Sequence, residues 1–178
     1  MLARLLRTLP AFFWQFFQLM FICSFVGPIG FFLGQLLPRR SFDYRAFPYA
    51  PFKWEKNGMF YTRLKIQFWK DKVPDASQYI KGMFRKKLGV FRSKDYLEEL
   101  ILETCVAEFV HFLLILASPV FTMIMEGMVG YVGMGLYILG NIPFIVIQRY
   151  NRPRLVMLME RQERRKDICK DKALPADT

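Results

Sequence analysis

The sequence predicts an all-α integral membrane protein with about three membrane-embedded helical segments and cytoplasmic interfacial amphipathic helices. Hydrophobic residues make up 53% of the 178 residues, and they gather in apolar runs near the length that a helix needs to cross a bilayer. The chain has a net charge of +11, and its basic residues flank those runs, as they do beside anionic lipid surfaces. No nucleic-acid-binding motif accompanies the charge, so we expect membrane lipids and no nucleic acid as partners.

The first membrane segment is predicted at residues 11–37, where no charged side chain occurs. A removable signal peptide would have a shorter apolar core and a small-residue cleavage site, and neither is clear here. Gly27, Pro28 and Gly30 interrupt the run. A kinked span and a re-entrant hairpin both fit this pattern.

Residues 38–94 form a basic, aromatic region that contains 15 Lys or Arg residues. Alternating aromatic and basic side chains are typical of a surface at the level of the lipid headgroups. The apolar spacing over 60–68 fits both a helix and a strand, and we favour the helix. Residues 77–88 predict an amphipathic helix with a basic face, which Gly89 would end.

Two further helices complete the predicted single domain of residues 1–178. A polar-striped helix is expected at 95–118 and a last span at 129–148, where four glycines would allow close packing. No Lys or Arg occurs from Asp95 to Gln148, and nine follow in the basic tail at 149–178. The positive-inside rule therefore places the tail and the 38–94 region in the cytoplasm. The side of the N-terminus and the oligomeric state stay open.

Three ionisable residues lie within the apolar run at 100–116, namely Glu103, Glu108 and His111. Such residues are costly inside a spanning helix and by default mark a functional site. Glu108 and His111 are three residues apart, so their side chains can meet on a helix. We predict His111 as a general base polarised by Glu108, with Glu103 as an outer acid or second orienter.

Two other interpretations of this stripe stay open. Glu108 and His111 could satisfy each other and hold helices together. Glu-x-x-His also supplies ligands in di-iron bundles, but those need such a pair from two helices, and this chain has one histidine. We therefore expect no metal and no bound cofactor. The three cysteines show no framework spacing and predict no structural disulfide.

Substrate-binding residues are predicted in two places. Asn141 and Gln148 share one face of the last span and could orient a substrate or hold an oxyanion. The run that follows contributes Arg149, Asn151, Arg152 and Arg154. Its arginines suit the phosphates of a donor such as coenzyme A, or they form an ordinary stop-transfer cluster. The loop residues Trp69, Lys70 and Asp71 are either an interface anchor or part of a lid.

Three blocks of the sequence together resemble the glycosyl-4,4'-diaponeurosporenoate acyltransferases of Gram-positive bacteria. The first runs from Glu55-Lys56-x-Gly58-x-Phe60 to Trp69-Lys70-Asp71-Lys72. The second is Glu103-Thr104-x-x-Ala107-Glu108-x-x-His111. The third runs from Asn141-x-Pro143 into Gln148-Arg149-Tyr150-Asn151-Arg152-Pro153-Arg154-Leu155. Their order and spacing match over residues 50–160.

The resemblance implies a membrane acyltransferase that esterifies a hydroxyl of a lipid-linked sugar, in a glycosylated carotenoid or another glycolipid, with a fatty acyl group. The acyl donor, such as acyl-CoA or acyl-carrier protein, would be a co-substrate. We expect a multi-pass protein of the bacterial cell membrane whose active site lies towards the cytoplasmic side. The alternative is a non-enzymatic membrane scaffold or lipid-binding subunit of a biosynthetic complex.

Overall fold

The computed structural model describes residues 2–73, 94–125 and 127–173, and these residues form helices and turns with no β-strand among them. Their α-helices are α1 (Leu2–Leu36), α2 (Phe60–Arg63), α3 (Ile66–Trp69), α4 (Lys94–Ala117), α5 (Val120–Ile124) and α6 (Met128–Ala173). Three helical stretches are long and apolar enough to cross a membrane, at Phe13–Leu36, Lys94–Ile124 and Met128–Ile168. The predicted fold class is therefore confirmed.

The first membrane segment is one continuous helix. α1 passes through Pro28 and the glycines beside it without a turn, which excludes the re-entrant hairpin. Proline lacks the N–H of one helix hydrogen bond, and membrane helices tolerate that loss where nearby groups adjust. One turn earlier, the Ser24 hydroxyl donates to the Met20 carbonyl at 2.8 Å.

α4 runs over Lys94–Ala117, in close agreement with the helix predicted at 95–118. Pro119 ends it, because a proline disfavours the helical conformation of the residue before it. The predicted turn after this helix contains the short helix α5. Glu126, which belongs to the same turn, lies outside the described residues.

α6 continues far beyond the predicted end of the last span at Gln148, to Ala173. The apolar run ends near that residue, but the basic and acidic residues that follow are good helix formers in water. Glu160 and Arg164 are four residues apart and form an ion pair at 3.7 Å, which supports this extension. The change in composition therefore marks a change of surroundings and not the end of a helix.

The region from residue 38 to 73 consists of turns and short helices. Three 3-10 turns lie at Arg39–Ser41, Lys53–Glu55 and Lys70–Lys72. The helix predicted for 60–68 is present as α2 and α3, which Lys65 separates with a φ of 52°. The amphipathic helix predicted at 77–88 lies outside the described residues.

The chain divides into two compact units. The first consists of Met1–Leu37 and Glu108–Ile145, and the second of Pro38–Ala107 and Val146–Thr178. In the first unit, a Cβ at Gly130 would lie 2.8 Å from the Met125 carbonyl oxygen and 3.0 Å from that of Phe121. α6 therefore begins against α5 at a distance that only glycine permits.

The four glycines predicted to allow close packing of the last span differ from one another in their surroundings. A Cβ at Gly133 would lie 3.2 Å from Leu19 Cδ1, so this glycine also supports a close contact, here with α1. A Cβ at Gly135 or Gly140 would meet nothing within 4 Å. Only the first part of α6 therefore uses small residues for packing.

The second unit has two clusters of buried apolar side chains. The first cluster is Tyr44, Leu97, Ile101, Cys105 and Met159. The second cluster is Tyr61, Ile66, Ile147 and Tyr150. In both clusters, residues of the 38–73 region pack against the long helices of the same unit, which anchors this irregular segment.

Candidate functional site

His111 lies on the part of α4 that belongs to the first unit, and its side chain is half-buried. Its Nδ1 atom is 2.8 Å from the Oδ1 atom of Asn141 on α6. The Asn141 amide nitrogen donates in turn to the Tyr137 carbonyl oxygen at 2.8 Å. A chain of polar contacts therefore connects the histidine to the backbone of α6.

The imidazole ring of His111 also stacks on Phe144. The ring centroids are 4.5 Å apart and the planes differ by 11°. Phe144 follows Asn141 by three residues, so both side chains come from one face of α6. That face holds the imidazole by one hydrogen bond and one stacking contact.

The structure gives the His111 imidazole a hydrogen-bond partner that the sequence did not predict, Asn141 on another helix. The pairing of His111 with Glu108, three residues away on α4, stays a prediction. Glu108 is buried, with 8% of its surface exposed. A catalytic role for this carboxylate stays a prediction.

Glu103 lies in the second unit and forms an ion pair with Arg39. The Arg39 Nε and Nη2 atoms each lie 2.8 Å from Glu103 Oε1. This contact connects the turn after α1 to α4 within that unit. The structure therefore gives Glu103 an interaction that the sequence did not predict, and its predicted role in catalysis stays a prediction.

A second polar cluster surrounds the buried Arg149 in the second unit. Its Nε atom lies 2.5 Å from Glu55 Oε1 and its Nη2 atom 3.0 Å from Oε2. The guanidinium also donates to the carbonyl oxygens of Pro48 and Ala50, at 3.0 and 3.2 Å, and it lies 4.4 Å from the Phe52 ring centroid. One side chain of α6 therefore holds residues 48–55 in place.

Glu55 completes this cluster and is 1% exposed. It accepts hydrogen bonds from the Tyr61 hydroxyl and from the Phe52 amide, the latter at 2.8 Å. Burial alone would raise the pKa of Glu55, but these donors and Arg149 stabilise the carboxylate more strongly, so its pKa lies below the ordinary value. Burial, followed by the adjacent carboxylate, raises the pKa of Tyr61 above its ordinary value.

The backbone beside Glu55 adopts an uncommon conformation. Lys56, Asn57 and Gly58 all have positive φ angles, of 47°, 54° and 84°. Such angles are costly for a residue with a Cβ and persist where the surroundings impose them. The ion pair of Glu55 with Arg149 fixes the residue that directly precedes these three.

Arg152 is 2% exposed and bridges α4 to the 38–73 region. Its Nε atom donates to the Thr104 hydroxyl at 2.8 Å, and Nη2 donates to the Thr104 carbonyl at 3.1 Å. Its Nη1 atom donates to the Tyr49 carbonyl at 2.6 Å. The half-buried Arg154 donates to the Tyr150 carbonyl and lies 3.5 Å from its ring centroid.

These contacts give two of the arginines a structural role. Arg149 and Arg152 are buried and donate to protein atoms, namely a glutamate, a threonine and loop carbonyls. Both residues therefore hold the second unit together. Donor binding stays a prediction for Arg149, Arg152 and Arg154.

The other predicted binding residues lie at different places in the chain. Gln148 and Asn151 are half-buried on α6. Trp69 donates from Nε1 to the Leu64 carbonyl at 3.1 Å, and Lys70 Nζ lies 6.0 Å from the Tyr150 ring centroid. The side chain of Asp71 lies outside the described residues.

Sequence reasoning missed the importance of Glu55, Tyr61 and Arg39. Glu55 stood in one of the blocks that carried the family resemblance, and it is the one glutamate of residues 38–94, which was the available signal. Nothing in the sequence distinguishes Arg39 from the basic residues around it. Among the residues that the structure describes, no group of three His, Cys, Asp or Glu side chains could hold a metal ion.

Comparison with known proteins identifies the family. The profile described as glycosyl-4,4'-diaponeurosporenoate acyltransferase matches residues 44–161. Relatives of that name from Staphylococcus aureus strains bovine RF122 / ET3-1 and USA300 are each 31% identical over 136 residues, or 75% of this chain and 81% of the relative. The relative from strain Newman is 31% identical over 130 residues, or 71% and 77%. No solved structure matches the chain.

Two polar clusters lie inside the matched range, the one around His111 and Asn141 and the one around Arg149 and Glu55. The names of the relatives confirm the predicted enzyme class, an acyltransferase. The matched profile covers well over half of the chain, and the relatives match over most of their own length. The chain therefore belongs to the glycosyl-4,4'-diaponeurosporenoate acyltransferase family.

Proposed function

We propose that this protein transfers a fatty acyl group to a hydroxyl of a lipid-linked sugar, with His111 as the general base. Family membership supports the acyl transfer, and the relatives' name supports a glycosylated carotenoid as the acceptor. The observation that carries the role of His111 is its contact with Asn141 within helices long enough to cross a membrane. Ionisable side chains at such positions are expensive and usually functional.

The reaction needs one proton acceptor and one activated acyl donor. His111 takes the proton of the sugar hydroxyl while the oxygen attacks the acyl carbonyl carbon. With a thioester donor, the new ester C–O bond forms, the C–S bond breaks, and the thiol leaves with the proton that the imidazole returns. The acyl donor, such as acyl-CoA or acyl-carrier protein, is a co-substrate, and the residues named here use no bound cofactor.

Charge distribution supports an active site that opens to the cytoplasmic side of the bacterial cell membrane. The sequence from Asp95 to Gln148 carries no Lys or Arg, whereas the regions on both sides of it are basic. Cytoplasmic segments carry that excess of positive charge. The half-buried Lys70 and Arg154 are candidates for contact with the anionic donor in this arrangement, because they belong to the basic regions.

Product analysis tests this proposal. The purified protein in lipid vesicles is incubated with a glycosylated carotenoid and with acyl-CoA or acyl-carrier protein, and lipids are analysed by mass spectrometry. We expect an acceptor that is heavier by one fatty acid less one water, with the ester on a sugar hydroxyl. A folded protein that forms no ester with either donor would contradict the proposal and favour the scaffold or lipid-binding alternative.

A further inference from the structure

The hydrogen bonds of Asn141 fix the orientation of its amide. A backbone carbonyl accepts and cannot donate, so the amide atom 2.8 Å from the Tyr137 carbonyl oxygen must be the NH₂ group. The amide oxygen therefore faces His111 Nδ1 at 2.8 Å. The two contacts agree with each other, and exchanging the amide atoms would place two acceptors together at Tyr137.

This orientation decides which ring nitrogen of His111 carries the proton. An amide oxygen only accepts, so the Nδ1 atom facing it must donate. In a neutral imidazole with its proton on Nδ1, the Nε2 atom keeps the free lone pair. We infer that Asn141 is a positioning residue that fixes this tautomer, so that Nε2 is the atom that accepts the substrate proton. The inference rests on the proposed role of His111 as a base.

Residues on one face of α6 restrict how the His111 ring can turn. Tyr137, Asn141 and Phe144 stand at positions i, i+4 and i+7, which lie on one face of a helix. Asn141 is 7% exposed, and the parallel Phe144 ring limits rotation of the imidazole. The hydrogen bond and the stacking contact thus fix both the protonation and the direction of the ring, whose Nε2 atom points away from the amide.

A neutral amide is sufficient for this role, because holding the proton on Nδ1 requires only an acceptor oxygen opposite that atom. The neutral amide orients the ring without adding a charge to a membrane-spanning helix, where charges are costly. It also differs from the substrate-orienting role predicted for Asn141, since here the amide acts through the histidine.

The inference can be tested because His111 is the single histidine of the chain. Protein labelled with ¹⁵N only at histidine Nδ1 and reconstituted in lipid gives one imidazole signal in nuclear magnetic resonance spectra. We expect a one-bond N–H coupling at Nδ1 in the wild type. A wild-type Nδ1 without an attached proton at neutral pH would overturn the inference.

Two variants separate positioning from general stability. Asn141→Asp keeps an acceptor oxygen opposite Nδ1, and we expect it to keep the Nδ1 proton signal. Asn141→Leu has nearly the same size without the acceptor, and we expect it to lose that signal. We also expect a loss of about 10- to 100-fold in rate, by analogy with residues that orient metal-binding histidines. An Asn141→Leu protein that is folded and retains the Nδ1 proton would overturn the inference.

Activity decides a different question from the spectrum. If the wild type shows the Nδ1 proton but forms no ester, the proposed function fails while the tautomer assignment stands. If the wild type forms ester but carries its proton on Nε2, acyl transfer stands and the assignment of Asn141 fails. The spectrum therefore tests the tautomer of His111, and the activity assay tests acyl transfer, each independently of the other.

Discussion

Replacing Glu55 by glutamine removes the negative charge that faces the buried guanidinium of Arg149 and keeps the shape of the side chain. The carboxylate holds Arg149 through two contacts, at 2.5 and 3.0 Å. Both residues are almost inaccessible to solvent. The variant therefore leaves a cation buried without its counter-charge, which is the costly way to disturb a buried ion pair.

The expected loss of stability follows from these contacts. Each hydrogen bond to a charged group contributes about 1.5–3 kcal/mol, so two of them give about 3–6 kcal/mol. Breaking a buried pair by removing one partner costs about 3–5 kcal/mol in other proteins. We expect Glu55→Gln to lower the free energy of unfolding by about 3–4 kcal/mol, since the glutamine retains some of the hydrogen bonds.

Equilibrium unfolding in mixed micelles measures this effect. The matched control is Glu160→Gln, which removes the same charge from an exposed pair on α6 at 3.7 Å and should change stability by less than about 1 kcal/mol. The double variant Glu55→Gln with Arg149→Met should be more stable than the sum of the single changes predicts. A Glu55→Gln protein within about 0.5 kcal/mol of the wild type would refute the assigned role of this pair.

Three further predictions concern acid stability, helix packing and the membrane surface. Since the folded-state pKa of Glu55 lies below its unfolded value of about 4.3, its contribution is present above that pH and is lost as the pH falls through the folded-state pKa. Acid should therefore destabilise the wild type more than Glu55→Gln in unfolding titrations, and equal losses would contradict this. Gly130→Ala should cost about 1–3 kcal/mol because its Cβ would meet backbone atoms, whereas Gly140→Ala, with open space around it, should be neutral in the same assay. In a variant that retains only Trp54, a side chain that is 55% exposed, lipids brominated near the headgroups should quench fluorescence more than lipids brominated near the chain ends, and the reverse order would exclude the predicted interfacial position.

Hydropathy was enough to predict the fold class and the main helices. The apolar run of α4 is long and Pro119 marks its end, so the bounds predicted for this helix agree well with the structure. α1 ends at Leu36, within one residue of the predicted segment, but it begins at Leu2 rather than at residue 11, because the basic lead before the apolar run is also helical. The end of α6 was missed because the composition changes at Arg149 while the backbone hydrogen bonding does not. The helix at 60–68 was predicted as one piece because no sequence signal reveals that Lys65 takes a positive φ.

The candidate site was predicted only in part, for a physical reason. A histidine inside an apolar run is visible in the sequence, and so is the neighbour three residues away on the same helix. The partner that meets its ring comes from another helix, and the register between helices depends on packing that spacing alone does not encode. Glu55 and Arg149 are 94 residues apart, and in sequence each resembles the surface charges around it.

Acyl transfer by His111→Ala tests the central claim most directly, with ester formation followed in vesicles by the single-turnover rate. The control is Ser24→Ala, which removes another polar side chain from the first unit, one whose hydroxyl contacts its own helix. A general base contributes about 10²- to 10⁴-fold, so the account predicts a loss of at least about 100-fold in His111→Ala and little change in Ser24→Ala. A folded His111→Ala protein that esterifies the sugar within about twofold of the wild-type rate would contradict it.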